Sequence, residues 1–300
     1  MNGLAGTFNE TYVLNGLQTP FKANMKHYKN WGGPSTYPHY HAGWALAGNT
    51  PFKFFKQFVH RGGQADPLII HWPKGIKAKG EVRNQYHHII DIAPTILDII
   101  KVKVPKQIEG VAQKPMEGVS MLYSFNNPSA KNEKKVQYYE MFGNRGIWAN
   151  GWKAVTHHGK RMPWDLSSTH PFDKDKWELY HVAKDFSESI NLAKKYPEKL
   201  KELKELWHKQ ALKYNVYPLY DDMIKRMAKQ QNRIFGDRTV FTYYYPGAYS
   251  ISEKASPPVK NRSHTITTTI DLKGKEKGVI VAIGGFTGGY TMFIKDRRLY

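Results

Sequence analysis

Two helical patterns separated by a short apolar run constrain the fold of this chain more than any other feature of its sequence. The run is Pro67–Pro73 (PLIIHWP), and its length, branched residues and closing proline are typical of a strand buried on both faces. One helical pattern precedes it and another follows, from about Asp91 to Lys101. This order predicts an α/β layer, in which helices cover both faces of a largely parallel sheet.

The first helical pattern begins at Thr50-Pro51, where a hydroxyl side chain can cap a helix whose first residue is proline. Gly62-Gly63 is expected to end this helix. One apolar stripe, with members at i, i+3 and i+7, is expected along it: Phe52, Phe55 and Val59.

The second helical pattern has Asp91 where a cap is expected and Pro94 near its start. Asp91 could serve as a general base, but a capping role is the stronger interpretation. The side expected to pack carries Ile96, Leu97 and Ile100.

After about residue 130 the pattern changes to short strands, at Val136–Met141, Gly146–His157 and Trp177–Val182. Asn150-Gly151 is a strong signal for a hairpin turn. An amphipathic helix is predicted at Tyr196–Tyr214, with these residues on one face: Leu200, Leu203, Trp207 and Ala211. The segment 131–215 is therefore predicted to be a small antiparallel sheet covered by one helix.

The remaining sequence divides the chain further. Residues 1–130 form the α/β region, 216–262 a linker, and 263–300 the start of a β extension with strands predicted at three places: His264–Leu272, Gly278–Ile283 and Tyr290–Lys295. The sequence opens in a Gly/Asn-rich stretch and stops within a strand pattern, so we expect a chain truncated at both ends.

Composition narrows the classes of function. Cysteine is absent, which removes disulfides, thiolate metal ligands and cysteine nucleophiles. A mean hydropathy of −0.61 and the lack of any apolar run of roughly 18 residues argue against a membrane protein. The net charge of +20 is compatible with binding to nucleic acid, to an anionic surface or to an anionic substrate, and a solvated basic surface is the simpler interpretation. Because the lysines are dispersed, no nucleic-acid partner is expected.

Histidines and lysines offer the candidate sites. His39 and His41 would face the same side of a strand and could share a metal ion, although ordinary loop histidines are the simpler interpretation. The adjacent pairs His87-His88 and His157-His158 should point apart. Lys53 is expected to be solvated, as most helix lysines are. Lys56, framed by apolar residues close to the glycine pair, is a candidate anion contact acting as a point charge.

Seven segments, taken in order, resemble the later catalytic-domain segments of bacterial arylsulfatases. They are Gly6–Glu10 (GTFNE), Thr36–Gly63, His71–Ile76, Ile89–Ile99, Glu117–Ser120, Tyr138–Val155 and Trp177–Ala193. Each motif alone is weak, but their succession is specific. The segment from Ser263 resembles the β extension of long members.

The resemblance implies an alkaline-phosphatase-like α/β fold followed by a smaller antiparallel domain. These type I sulfatases use a formylglycine, made from Cys or Ser in a C/S-x-P-x-R motif, beside a calcium ion. In the family a lysine shortly before the His/Tyr-x-Gly-Gly segment contacts the sulfate, and Lys56 occupies that position here, four residues before His60. The loop that precedes Lys56 is well placed to line the substrate mouth, and the residues expected there are His39, Tyr40, His41 and Trp44.

The departures from the family pattern concern the catalytic machinery. The sequence has no cysteine and no S-x-P-x-R segment, and no Asp-Asn pair precedes the GTFNE segment. We therefore expect the formylglycine nucleophile and the calcium ligands to belong to a missing amino-terminal half of the catalytic domain. Arg61 stands where many relatives carry Glu and is expected to be structural.

Three functions stay open. The first is a sulfuric ester hydrolase whose activity needs the complete polypeptide, periplasmic or secreted in full length, with a sulfate ester and the amino-terminal half as its partners. The second is a binding module that grips polyanions without chemistry. The third is a phosphonate or phosphodiester hydrolase of the same superfamily, because one fold hosts several activities.

Overall fold

A computed structural model describes residues 7–10, 20–162, 165, 168–222, 238–244, 250–252, 255–259, 262–285 and 288–300. The chain divides into two compact units, one of Met1–Trp44 with Asp222–Tyr300 and one of Ala45–Asp221. The helices are α1 (Phe21–Lys26), α2 (Ala42–Gly48), α3 (Ile92–Ile99), α4 (Leu122–Phe125) and α5 (Pro197–Lys213). The strands are β1 (Gln107–Ile108), β2 (Val111–Ala112), β3 (Val136–Met141), β4 (Asn144–Ala149), β5 (Trp152–Thr156), β6 (Trp177–Tyr180), β7 (Gly278–Gly285), β8 (Gly288–Lys295) and β9 (Arg298–Leu299).

The core of the Ala45–Asp221 unit is a four-stranded antiparallel sheet in the order β3-β4-β5-β6. β4 turns into β5 at Asn150-Gly151, whose φ values of 48° and 85° are those of a tight hairpin turn. The predicted strands, the predicted hairpin and the helix over 196–214 are confirmed. The described residues have the mixed α/β class that the sequence predicts, but their sheets are all antiparallel, so the expected largely parallel sheet is not among them.

The two faces of this sheet bury different partners because side chains alternate along a strand. On one face Ile147, Ala154 and Leu179 pack against α5, which contributes Leu203, Trp207 and Ala211. On the other face Trp148, Val155 and Tyr180 pack with Val59 and with other residues of the unit. The sheet is therefore covered by α5 on one side, and Val59 of the segment after α2 packs on the opposite side.

The helix predicted from Thr50 to the glycine pair is not present. Residues 51–60 form turns and irregular backbone, and Phe54 and Gln57 have φ values of 62° and 80°. A left-handed residue interrupts the helical ladder, so the apolar spacing that suggested a helix belongs instead to a folded loop.

The strand predicted at Pro67–Pro73 is also absent, and Ile69 is 90% exposed. No strand of the described residues lies beside this segment, so its backbone N–H and C=O groups have no ladder to join. The second helix is confirmed as α3, but Ile96 and Ile100 are exposed rather than packed, and Thr95 is the buried residue.

Asp91 precedes α3 and is fully buried. Its carboxylate accepts the backbone N–H of His88 at 2.8 Å and that of Val119 at 2.9 Å, and it lies 2.9 Å from the Lys134 ammonium. Asp91 directly precedes α3, but its side chain makes no capping hydrogen bond to that helix, so the capping interpretation is wrong for α3. The carboxylate instead closes the turn at residues 88–91 and connects it to the segments near residues 119 and 134.

The other unit contains an antiparallel sheet in the order β7-β8-β9, so the last two predicted strands are confirmed. His264–Leu272 is not a strand, and its residues are almost all exposed; no strand of the described residues pairs with it. Most of the predicted linker over 216–262 lies outside the described residues. No helix among the described residues is long and apolar enough to cross a membrane.

Candidate functional site

The residues around Lys56 form a tightly folded loop, which we define as residues 49–63 and call the Lys56 loop. Lys56 lies near its middle and is exposed, and none of the described residues hydrogen bonds or pairs with its ammonium group. It stands between the two left-handed residues Phe54 and Gln57. Such backbone costs free energy and persists only where the surroundings hold it in place.

Gly62 and Gly63 make the fold of the loop possible because they lie directly against its own backbone. A Cβ atom on Gly62 would collide with the carbonyl oxygens of Lys53 and Phe54, and one on Gly63 with the carbonyl oxygen of Phe58. The Gly62 N–H donates to the Lys53 carbonyl at 3.0 Å. The glycine pair therefore closes the loop instead of ending a helix.

The side chain of Asn49 also stabilises the closed conformation of the loop. Its Nδ2 group donates to the carbonyl oxygens of Phe54 at 2.9 Å and of Gly62 at 2.7 Å. One amide thus joins both sides of the loop, which satisfies two carbonyl groups that the turn leaves without a backbone partner.

The inner side of the loop is aromatic and buried. Phe58, Val59 and His60 are each at most 3% exposed, and the Phe54 and Phe58 rings stack with centroids 4.5 Å apart. The His157 ring lies edge-on to both phenylalanines, at 5.0 and 5.1 Å. Aromatic pairs of this geometry contribute about 0.5–1.5 kcal/mol beyond their burial.

Two residues of β6 bind the loop through polar groups. The Glu178 carboxylate lies 3.3 Å from His60 Nε2, which must be the donor because a carboxylate only accepts. Tyr180 donates its hydroxyl to the same carboxylate. Lys53 Nζ in turn donates to the Tyr180 hydroxyl at 3.0 Å. Lys53 is therefore engaged with the sheet, and the expectation that it is solvated is wrong.

A second anchor holds the end of the loop. The Arg61 N–H donates to Glu188 at 2.9 Å, and the other oxygen of that buried carboxylate pairs with Lys153 Nζ at 2.6 Å. The Arg61 guanidinium lies over the Phe186 ring at 4.5 Å. These contacts agree with the structural role expected for Arg61.

The electrostatics of these anchors follow from burial and pairing. Burial alone would raise the pKa of Glu178, but hydrogen bonds from His60 and Tyr180 and the charge of Lys53 outweigh it and hold that pKa at about 2. Burial, reinforced by Glu178, raises the pKa of Tyr180. Burial lowers the pKa of Lys153, against the opposing effect of Glu188. At neutral pH the loop is thus held by a charged carboxylate and a neutral phenol.

The other predicted site residues belong to the other unit, so their grouping with Lys56 stays a prediction. His39 Nδ1 lies 3.2 Å from a Glu10 carboxylate oxygen, and His41 Nδ1 accepts the Gly43 N–H at 3.0 Å. Trp44 is 69% exposed. Among the described residues no group of three or more His, Cys, Asp or Glu side chains could hold a metal ion, so a shared metal at His39 and His41 gains no support.

The prediction that His157 and His158 point apart is confirmed. His157 packs on the Lys56 loop, whereas His158 lies between Asp175, 2.8 Å from Nδ1, and Asp221, 3.1 Å from Nε2. Asp175 also pairs with Arg145 at 2.7 Å. This buried polar cluster joins the segment that follows α5 to the sheet.

Sequence reasoning missed Glu178, Tyr180 and Glu188 as partners of the loop. A usable signal was present in β6, where Glu178 and Tyr180 are spaced at i, i+2 and must share one face of the strand. Glu188 lies in a loop and carries no periodic signal. Its contact with Arg61 joins residues 127 positions apart, which no local pattern reports.

Comparison with known proteins identifies the family. Residues 51–215 match the family described as "N-sulphoglucosamine sulphohydrolase, C-terminal". An uncharacterized sulfatase of Schizosaccharomyces pombe is 27% identical over 74% of this chain and 38% of its own length. An N-acetylglucosamine-6-O-sulfatase of Bacteroides thetaiotaomicron is 31% identical over 54% of this chain and 27% of its own.

A solved structure described as being in complex with its substrate, D-glucosamine-2-N,6-O-disulfate, is 26% identical, with a TM-score of 0.37 over 51% of this chain and 29% of the other. The chain thus spans well under half the length of these relatives. Since the family match covers more than half of the 300 residues, the chain belongs to the sulfatases, in the family defined by the carboxy-terminal region of N-sulphoglucosamine sulphohydrolase.

Proposed function

We propose that this chain supplies the Lys56 sulfate contact of a sulfuric ester hydrolase. The observation that carries the proposal is an exposed ammonium group at Lys56, which no described residue pairs with. The two other basic side chains of the loop are engaged, Lys53 by Tyr180 and Arg61 by Phe186. A compact ammonium charge suits the oxygens of a sulfate ester, where negative charge is concentrated.

The anchored loop favours catalysis over general attraction. When a lysine on a disordered segment binds a ligand, the backbone of that segment loses conformational entropy. The backbone on either side of Lys56 is already ordered by folding, so binding at Lys56 does not carry this loss. The long side chain retains its own freedom. The loop therefore fixes where the ammonium group can reach.

The substrate class that we propose is a sulfated sugar. Its support is the similarity to an N-acetylglucosamine-6-O-sulfatase, with 31% identity over 54% of this chain. His39, His41 and Trp44 are proposed as residues that line the substrate mouth, because an exposed aromatic ring such as Trp44 offers the flat apolar face against which a sugar ring can pack.

The nucleophile and the calcium ion are proposed to be held by residues outside this sequence. Formylglycine formation needs a C/S-x-P-x-R segment, which the sequence does not contain. The described residues offer no cluster of three or more metal-binding side chains. We therefore expect no hydrolysis by this chain alone.

The partner that we propose is the amino-terminal half of a sulfatase catalytic domain. An apolar stripe runs along α3 and the turn before it, formed by Ile89, Ile92, Ile96 and Ile100, and it is exposed. Ile69 is exposed as well. A stripe of this kind normally packs against a sheet. The curated relatives, of which this chain spans 27% and 38%, are long enough to supply one.

Binding of 4-nitrocatechol sulfate to the full chain tests the Lys56 contact. Loss of a charge-assisted contact is expected to weaken binding about tenfold or more in Lys56→Ala. Lys201→Ala, which removes an exposed lysine of α5, is the matched control and should stay within about twofold. Equal affinity of the two variants would contradict the proposal. Sustained sulfate release by the purified wild-type chain with calcium would contradict the proposed location of the nucleophile.

Polyanion binding without chemistry remains the second candidate, because the chain carries a net charge of +20. This function predicts an affinity for heparin-like polyanions that falls steeply with salt, and no effect of Lys56→Ala on that affinity. The proposed hydrolase function instead predicts that Lys56→Ala strongly weakens the binding of a small sulfate ester.

A further inference from the structure

The two lysines of the Lys56 loop have different tasks, and the difference originates in β6. Glu178 contacts the loop directly at His60, 3.3 Å away, and indirectly at Lys53 through the Tyr180 hydroxyl, which lies 3.0 Å from Lys53 Nζ. Lys53 precedes Lys56 by three positions and His60 follows it by four. One carboxylate thus holds the loop on both sides of Lys56.

The contact between Glu178 and His60 lies in a buried part of the loop, where a hydrogen bond is stronger than in water. His60 is fully buried, and its other ring nitrogen, Nδ1, has no hydrogen-bond partner among the described residues. The Glu178 contact is therefore the one bond found there for that ring. Removal of Glu178 would leave the buried His60 ring without any hydrogen bond to a described residue. A buried polar group that loses its partner destabilises the fold, so this loss should be costly.

The backbone between the two contacts needs such support. Phe54 and Gln57 lie between Lys53 and His60 and have left-handed φ values of 62° and 80°. Without contacts that hold the loop, Phe54 and Gln57 would leave these strained conformations. The position of Lys56, between them, then depends on both contacts.

We propose that Glu178 is a positioning residue that fixes the Lys56 loop from both sides, with Tyr180 carrying its effect to Lys53, so that Lys53 acts as an anchor and Lys56 alone remains free for the sulfate. This inference deepens the proposed function and rests on it for the purpose of the loop. Its test does not require sulfate.

Backbone hydrogen exchange in the full chain, resolved by peptide mass spectrometry, measures opening of the loop. In Glu178→Leu the peptide over residues 52–63 is expected to exchange about ten- to hundredfold faster, as for loss of hydrogen bonds to a charged group. Glu178→Gln keeps the size of the side chain and one acceptor, so a smaller rise is expected. Tyr180→Phe removes the hydroxyl that joins Glu178 to Lys53 but leaves the contact between Glu178 and His60, so it should raise exchange a fewfold.

The internal reference is the β4–β5 hairpin, residues 144–156, whose exchange should change less than about twofold in each variant. Two further variants are expected to leave loop exchange within about twofold. Glu202→Gln removes an exposed carboxylate that pairs with Lys199 on α5, and Lys56→Ala removes the proposed sulfate contact but no anchor.

Unchanged loop exchange in Glu178→Leu would overturn the inference. An equal rise in the loop and in the hairpin would also overturn it, since Glu178 would then support the whole fold and not the loop. If Tyr180→Phe leaves loop exchange unchanged, Lys53 is not an anchor of the loop. If instead the loop opens as expected but Lys56→Ala binds sulfate esters like the wild type, the positioning inference stands and the proposed function fails.

Discussion

Two regions of the Ala45–Asp221 unit bury their apolar residues to very different extents. In the sheet and helix of residues 136–213, Ile147, Leu179 and Leu203 are fully buried. In residues 67–116, apolar side chains of the same kind are exposed, among them Ile69, Ile89 and Val111. The first region supplies both sides of its own core. The second has an apolar surface whose proposed cover is another part of a sulfatase catalytic domain.

The Lys56 loop lies beside the first region and takes its order from it. Val59 packs on the sheet face opposite α5, and His60 and Lys53 bond to β6. The comparison therefore indicates that the antiparallel region holds the proposed sulfate contact in place, and does not merely follow the catalytic domain along the chain.

The largest effect is expected in the closed core. Trp207 is 2% exposed and donates its indole N–H to the Tyr139 carbonyl at 3.1 Å. Trp207→Ala should lower the free energy of unfolding by about 3–5 kcal/mol, because it creates a large cavity between α5 and the sheet. Urea unfolding measures the change. Leu212→Ala, on the exposed side of the same helix, is the control, with an expected change within about 0.5 kcal/mol. A similar loss of unfolding free energy in both variants would contradict the claim that the sheet and α5 form a closed core.

The next effect depends on pH and is smaller. The pKa of Glu178 is about 2 in the folded chain against an ordinary value of 4.5. A lowered carboxyl pKa stabilises the fold above pH 4.5, and this contribution, about 3 kcal/mol, is lost as the pH falls from about 4.5 to about 2. The difference in unfolding free energy between the wild type and Glu178→Gln should therefore be largest above pH 5 and shrink as the pH falls. A difference that is constant across this range would show that the charge of Glu178 has no part in it.

Closure of the loop should be sensitive to a single methyl group. Gly62→Ala places a Cβ against the carbonyl oxygens of Lys53 and Phe54, and overpacking of this kind typically costs about 1–3 kcal/mol. Thermal unfolding measures the loss. Gly80→Ala is a useful contrast, since a Cβ there meets no atom within 4 Å although φ is 74°. Gly62 itself has no left-handed φ, so close contact is the only cause expected there, and a loss below about 0.5 kcal/mol in Gly62→Ala would contradict it.

The smallest effect is expected in the open region. Ile96 is 52% exposed on α3. Ile96→Ser should change the free energy of unfolding of this chain by no more than about 0.5 kcal/mol. It should also reduce association of the chain at high concentration, which light scattering detects, because it interrupts an exposed apolar stripe. A loss of several kcal/mol would show that the stripe is packed within the chain itself.

The same contrast explains what could be read from the sequence. The bounds of β3, the turn at Asn150-Gly151 and helix α5 agree with prediction because neighbouring segments pair with one another and their alternation or periodicity is local. The strand predicted at Pro67–Pro73 was wrong for the described chain because a strand needs a partner that no described residue supplies. The helix predicted from Thr50 was wrong because the spacing of Phe52, Phe55 and Val59 is also compatible with a folded loop, in which Phe54 and Gln57 take left-handed φ values.

The candidate site was only partly visible in the sequence. Lys56 was first a candidate because of the apolar residues and the glycine pair around it, and the resemblance in motif order then assigned it the sulfate contact. The engagement of Lys53 depends on a contact between residues 127 positions apart, and no local pattern reports such a pair. The i, i+2 spacing of Glu178 and Tyr180 could have placed them on one face of β6, but not against this loop.

Competitive amine acetylation of the full chain at low reagent concentration, with and without sulfate, tests the central claim most directly. Tandem mass spectrometry can follow Lys53 and Lys56 separately. We predict that Lys56 reacts several times faster than Lys53, whose amine is bound to Tyr180, and that sulfate slows the reaction at Lys56 but not at the exposed Lys201. Equal reactivity of Lys53 and Lys56, or protection of Lys53 in place of Lys56, would contradict the account.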